Sequence, residues 1–138
     1  MAPPWAKEAL VGSRLQSVSR SEHSWSFAFA PGCGIETDSF WRIRSDGGIL
    51  VTNEDDGQRF GLPEPVDAAD RAVKRLKAAV AEVELVPDTS DLRIVFEDGA
   101  ILEVFNTSCG YESWQLYSKD ACLRLIALGG GNTAICAC

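Results

Sequence analysis

Few side chains in this sequence could serve as nucleophile, general base or metal ligand, and those few are poorly grouped. The single histidine, His23, sits in the polar run SRSEHSW. No cysteine or second histidine stands at metal-ligand spacing from it, so a solvated loop side chain is the direct reading. The cysteines are Cys33, Cys109, Cys122, Cys136 and Cys138. Their odd number and irregular spacing are unlike a secreted disulfide scaffold, so reduced thiols are expected. A zinc site built from Cys109, Cys122, Cys136 and Cys138 would have gaps of twelve, thirteen and one residue, without a CxxC knuckle. No metal site and no cofactor is predicted. A thiol–imidazole pair of His23 with Cys33 or Cys109 would have to meet in space, which spacing alone does not decide. Gly129-Gly130-Gly131 has neither the following Lys-Ser/Thr nor the opening helix of a phosphate loop. It reads as a flexible turn.

Carboxylates are the abundant chemistry: 20 acidic against 13 basic residues give a net charge of −7. Such a field repels phosphate backbones and anionic lipids, so neither nucleic acid nor a membrane is an expected partner. It steers a cationic protein toward encounter. Nothing marks two carboxylates as an acid/base couple, and a non-catalytic binding protein is expected. The candidate partner-binding residues are Glu54, Asp55 and Asp56, whose mutual repulsion a basic surface would relieve, with Glu36 and Asp38 contributing. A loop kept soluble by its charge has the same composition. Arg71, Lys74, Arg75 and Lys77 read as the solvated face of a helix.

These side chains must be carried by a single domain spanning 1–138, since 138 residues with 46% hydrophobic content suffice for one ordinary core. No apolar run approaches the ~20 residues that span a bilayer. The start, MAPPWAKEALVGS, has neither a basic n-region nor an apolar h-region, so a cytoplasmic location is expected. After an apolar-periodic lead-in from Leu10 to Val18, alternation at Trp25, Phe27 and Phe29 marks a strand. Further strands are expected at Ile35 to Thr37, Phe40 to Arg44 and Ile49 to Thr52, with Asp46-Gly47-Gly48 as a hairpin turn. Asn53 to Pro65 is a charged, Gly- and Pro-bearing connection. Asp67 caps a helix whose apolar stripe is Ala69, Val73, Leu76 and Val80. Strands follow at Val83 to Val86, Leu92 to Phe96, Ile101 to Phe105, Trp114 to Tyr117 and Cys122 to Leu128. Thr133 to Cys136 forms a short edge strand or frays.

The halves align, which predicts an internal duplication of 10–52 and 75–128. Val11, Leu15 and Val18 match Leu76, Val80 and Val83. Trp25, Phe27, Phe29 and Gly32 match Leu92, Ile94, Phe96 and Gly99. Trp41, Ile43 and Ser45 match Trp114, Leu116 and Ser118. Alternating apolar strands also resemble one another by chance. The predicted fold is α+β and β-dominated: two duplicated antiparallel meanders packed as a two-layer sheet, with one central helix.

The stretch TSDLRIVFEDGAILEVFNTSCGYESWQLYS, the terminal GGGNTAI and the earlier FGLPEPVDAA carry a resemblance. In its DL strand, hairpin Gly, GYESW motif and Gly-rich C-terminal end, the chain resembles a family of small bacterial proteins that look like immunity proteins encoded beside polymorphic or contact-dependent toxins. The resemblance covers roughly 60–134 and the first half only loosely, and the Cys-Ala-Cys terminus departs from it. It implies a cytoplasmic protein that neutralises a cognate toxin with a basic surface by direct binding. A small-molecule or peptide-binding module is the alternative. The resemblance brings no catalytic residues with it. The motif maps onto Gly110, Tyr111, Glu112, Ser113 and Trp114, where Trp114 needs no more than a core role.

Overall fold

The computed structural model describes residues 1–137. Its elements are α1 (Pro4–Leu10), β1 (Leu15–Arg20), β2 (Trp25–Phe29), β3 (Cys33–Thr37), β4 (Trp41–Ser45), β5 (Gly48–Thr52), α2 (Ala68–Arg75), β6 (Val80–Leu85), β7 (Leu92–Phe96), β8 (Ile101–Val104), β9 (Trp114–Ser118), β10 (Leu123–Ala127) and β11 (Thr133–Ala137). Eleven strands form two antiparallel sheets, ordered β1-β2-β3-β9-β10-β11 and β5-β4-β8-β7-β6. The fold is thus α+β, β-dominated and two-layered, as the alternating patterns predict. No helix among the described residues is long and apolar enough to cross a membrane.

Both halves of the chain thread the sheets in the same way. The meander β1-β2-β3 lies in one sheet and β4-β5 crosses to the other; β6-β7-β8 lies in that second sheet and β9-β10 crosses back. Register follows the same rule, with Phe27 opposite Ile35 and Ile35 opposite Leu116 in one sheet. In the other, Ile94 faces Leu102 and Leu102 faces Ile43. Inward positions from both layers make one core: Trp25, Phe27, Phe29, Trp41, Ile94, Phe96, Leu102, Trp114 and Leu116 are all buried. Trp41 meets Trp25 and Phe27 edge to face at centroid distances of 5.0 and 5.1 Å, the T-shaped geometry that aromatic quadrupoles favour.

Two helices close the sandwich where the sequence predicted one. α2 lies against β1 and β5, the edge strands on one side, and α1 lies against β6 and β9. α1 begins at Pro4, whose missing N–H costs nothing in a first turn, and buries Ala6 and Leu10. α2 has the expected cap, Asp67 accepting the Asp70 N–H at 3.0 Å. It buries Ala68 and Ala72, each one position before the predicted Ala69 and Val73; Leu76, at the C-cap, is buried as predicted, and Val80 is buried but belongs to β6. Two alanines let this short helix approach the sheet edges closely. Arg75 extends from its last turn to donate to Ser45 Oγ at 2.6 Å and Asp98 at 2.8 Å, while Lys74 pairs with Asp70.

Candidate functional site

The strand registers bring the predicted carboxylates to one end of the sandwich. Trp25, Thr37 and Trp114 are register partners at the end of one sheet. Trp41, Val104 and Leu92 hold the corresponding places in the other. From this end emerge the turn carrying Glu22 and His23, the crossover carrying Asp38, the connection that starts at Asn53, the turn carrying Asp88 and the loop carrying Glu112. Glu36 stands on the outer face of β3 close to the same end, where Arg124 donates to it at 3.1 Å. A groove of about 250 Å³ is lined by His23, Glu36, Asp38, Glu112 and Gln115. Asp38, Glu54, Asp88 and Glu112 are exposed and have no ion-pair partner among the described residues.

Asp55 and Asp56, by contrast, are held by the chain itself. A capping box closes the turn after β5: Thr52 Oγ1 accepts the Glu54 N–H at 3.2 Å, and Asp55 accepts the Thr52 N–H at 2.9 Å. Asp56 accepts from Arg20 at 2.8 Å and from the Ala68 N–H, at the start of α2, at 2.9 Å. These hydrogen bonds offset the mutual repulsion of Asp55 and Asp56, and Glu54 alone of the three is exposed. The Thr-x-x-Asp spacing of Thr52 and Asp55 is the sequence signal that identifies the box.

The GYESW loop and the terminal glycines pack on one another at this end. A Cβ on Gly129 would lie 2.3 Å from the Gly110 nitrogen, and one on Gly131 would lie 1.9 Å from the Asp88 carbonyl oxygen. Gly130 and Gly131 have φ of 79° and 94°, which glycine adopts readily. The expected flexible turn is instead a tightly packed segment. Ser108 Oγ accepts the Gly110 and Tyr111 N–H groups at 3.0 and 2.9 Å, and Ser113 Oγ donates to Asn106 at 2.8 Å. Trp114 is buried as expected, while Tyr111 projects with 82% of its surface exposed.

A second aromatic protrudes from the charged, Gly- and Pro-bearing connection to α2. Phe60 is 68% and Leu62 44% exposed. Because α2 starts beside Asp56 and ends at Ser45 and Asp98 on the opposite end, this loop departs from the acidic end.

The remaining chemistry is dispersed. His23 is exposed and lies 3.6 Å from Glu22. Cys33 is buried at the far end, where its thiol donates to the Ala9 carbonyl at 3.3 Å; burial pushes its pKa up, the opposite of an activated nucleophile. Cys109 and Cys136 are free and exposed, but Cys122 is disulfide-bonded, which corrects the expectation of uniformly reduced thiols. The described residues contain no group of three His, Cys, Asp or Glu side chains able to hold a metal; Cys138 of the considered zinc set lies outside them. The chain matches no protein-family model, no curated protein and no solved structure.

Proposed function

We propose that this is a non-catalytic binding protein whose acidic end docks a basic protein surface, and that its partner is a toxin it neutralises as an immunity protein. The observation that carries the binding reading is the arrival of Asp38, Glu54, Asp88 and Glu112 at one end from four different connections, all without ion-pair partners among the described residues. Like charges left together are unfavourable, and a cationic partner converts that cost into steering and attraction. Tyr111 adds an aromatic of the kind that anchors interfaces. The toxin itself rests on the resemblance of the GYESW and Gly-rich segments to immunity proteins.

Affinity purification from the native host, with mass spectrometry and a variant carrying Asp38→Lys, Glu54→Lys and Glu112→Lys, tests both parts. The parent is expected to retain a basic protein that arrests growth when expressed alone; the variant is expected to lose it. Retention by both proteins would remove the acidic end from the interface, and a partner without toxicity would end the immunity reading. The reading places the encounter in the cytoplasm.

One observation favours the alternative of a small-molecule or peptide-binding module. A cleft of about 430 Å³ on the outer face of β9 and β10 is lined by Glu36, Tyr117, Lys119, Leu123 and Arg124. Co-purified ligand contacting Tyr117 would establish it.

A further inference from the structure

The loop between β5 and α2 is built to hold two apolar side chains away from the protein. Val66 is buried at its base, where the Gly57 N–H donates to the Val66 carbonyl at 2.8 Å and the Val66 N–H donates to the Gln58 carbonyl at 2.7 Å. Across the tip, the Leu62 N–H donates to the Arg59 carbonyl at 2.8 Å and Arg59 Nη1 to the Pro63 carbonyl at 2.6 Å. Gly57 and Gly61 have φ of 82° and 77°, which glycine tolerates. Phe60 has φ of 47°. An aromatic residue in the left-handed region is strained, and its exposed ring gains no compensating burial within the chain. Fold stability alone would favour glycine at this position.

We infer that residues 57–66 form a preorganised anchor that seats Phe60 and Leu62 on an apolar stripe flanked by Lys or Arg side chains on a partner protein. The inference rests on the reading of the acidic end as a partner-binding surface, and names the partner's chemistry there. Charge complementarity specifies the flanks: among residues 53–67, Glu54, Asp55, Asp56, Glu64 and Asp67 are acidic and Arg59 alone is basic. Arg59 is tied across its own loop, while Glu54, Glu64 and Asp67, flanking it in sequence, are exposed. A loop tied by its own hydrogen bonds loses little entropy on docking, and an exposed aromatic is the kind of side chain that anchors interface hot spots.

The probe is a synthetic amphipathic Leu/Lys helix, which presents an apolar stripe flanked by lysines; the same peptide with Glu in place of Lys is the control. The parent is expected to bind the Leu/Lys peptide and not the Leu/Glu peptide in titration calorimetry. Phe60→Gly is expected to weaken that binding roughly tenfold or more, while its melting temperature stays level or rises because the backbone strain is relieved. Glu54→Lys with Glu64→Lys is expected to weaken binding and flatten its salt dependence.

Unchanged affinity of Phe60→Gly, a lower melting temperature for it, equal binding of both peptides, or binding of neither would overturn the anchor. So would a parent dimer that Phe60→Gly dissociates in sedimentation, or phosphatidylcholine vesicle binding that Phe60→Gly abolishes, since either gives the ring another occupant. Charge reversal that abolishes binding beside a Phe60→Gly that retains it would sink the anchor and leave the acidic surface standing.

Discussion

Trp41 and Trp114 begin topologically equivalent strands in the two halves, yet they differ in hydrogen bonding. Trp114 Nε1 donates to the Ser90 carbonyl at 3.1 Å, whereas Trp41 Nε1 is buried without a partner among the described residues. The difference lies in the turn before β7, in the facing sheet. Ser90, with φ of 58°, is itself held by its Oγ bond to the Gly131 carbonyl at 2.5 Å. The second half thus locks its tryptophan to two loops, and the first half leaves an indole N–H unpaired.

Trp114→Phe is therefore expected to cost more stability than Trp41→Phe, by on the order of 1 kcal/mol, because it alone deprives a buried carbonyl of its donor. Trp114→Ala, which removes the whole ring, is expected to cost about 3–5 kcal/mol. Urea denaturation of the three variants checks both statements. Equal costs for the two Phe substitutions would show that the Ser90 bond contributes nothing.

The terminal glycines provide a second test, because each added Cβ would meet backbone. Gly129→Ala and Gly131→Ala are expected to cost on the order of 2–4 kcal/mol each, since Gly110 or Asp88 must move and Gly131 also needs its positive φ. Gly48→Ala, facing open space, is the control and is expected to stay within about 1 kcal/mol of the parent. Melting curves in which all three variants coincide would return the segment to a loose turn.

What was legible in the sequence divides along a physical line. Period-two alternation is local, and Trp25-Phe27-Phe29, Leu92-Ile94-Phe96 and Trp41-Ile43 therefore marked their strands and core faces correctly. Asp67 as a cap is equally local. The α2 face was displaced because sheet edges, rather than the helix's own larger side chains, select Ala68 and Ala72 for burial. Gly129 against Gly110 is a contact between distant segments and leaves no periodic trace. Among the candidate site residues, Glu36 and Asp38 do line one groove, but neither the intramolecular partners of Asp56 nor the projection of Phe60 could be read without the docking of β1 and α2.

Alkaline pH should selectively weaken the fold. Burial raises the Cys33 thiol above its ordinary value of 9.0 and, as the largest cause, raises the Tyr117 phenol above 10.0, with Glu36 adding to the latter. Both groups are held neutral in the folded state while the unfolded chain ionises first, so their stabilisation is intact below about pH 9 and is lost as pH rises through the folded values. Stability measured by urea denaturation should fall as pH rises above about 9, and Tyr117→Phe with Cys33→Ala should make that fall shallower. An unaltered slope in the double variant would assign the alkaline loss to other groups.

The acidic residues should separate into two classes when replaced one at a time. Asp55→Ala removes the acceptor for the Thr52 N–H and opens the capping box; Asp56→Ala strands Arg20 and the Ala68 N–H together. Each is expected to cost on the order of 0.5–2 kcal/mol of stability. Glu54→Lys, Asp38→Lys and Glu112→Lys remove no ion pair and should each remain within about 0.5 kcal/mol of the parent. For that reason a variant exchanging all of Glu54, Asp55 and Asp56 would confound folding with binding, and the three single reversals are the informative set. Against a purified basic partner, each should slow association and reduce its dependence on salt, because opposite charges no longer meet during encounter. Stopped-flow association at low and high ionic strength measures this directly. Association rates that match the parent at low salt, in reversals shown to be folded, would place the partner elsewhere on the molecule.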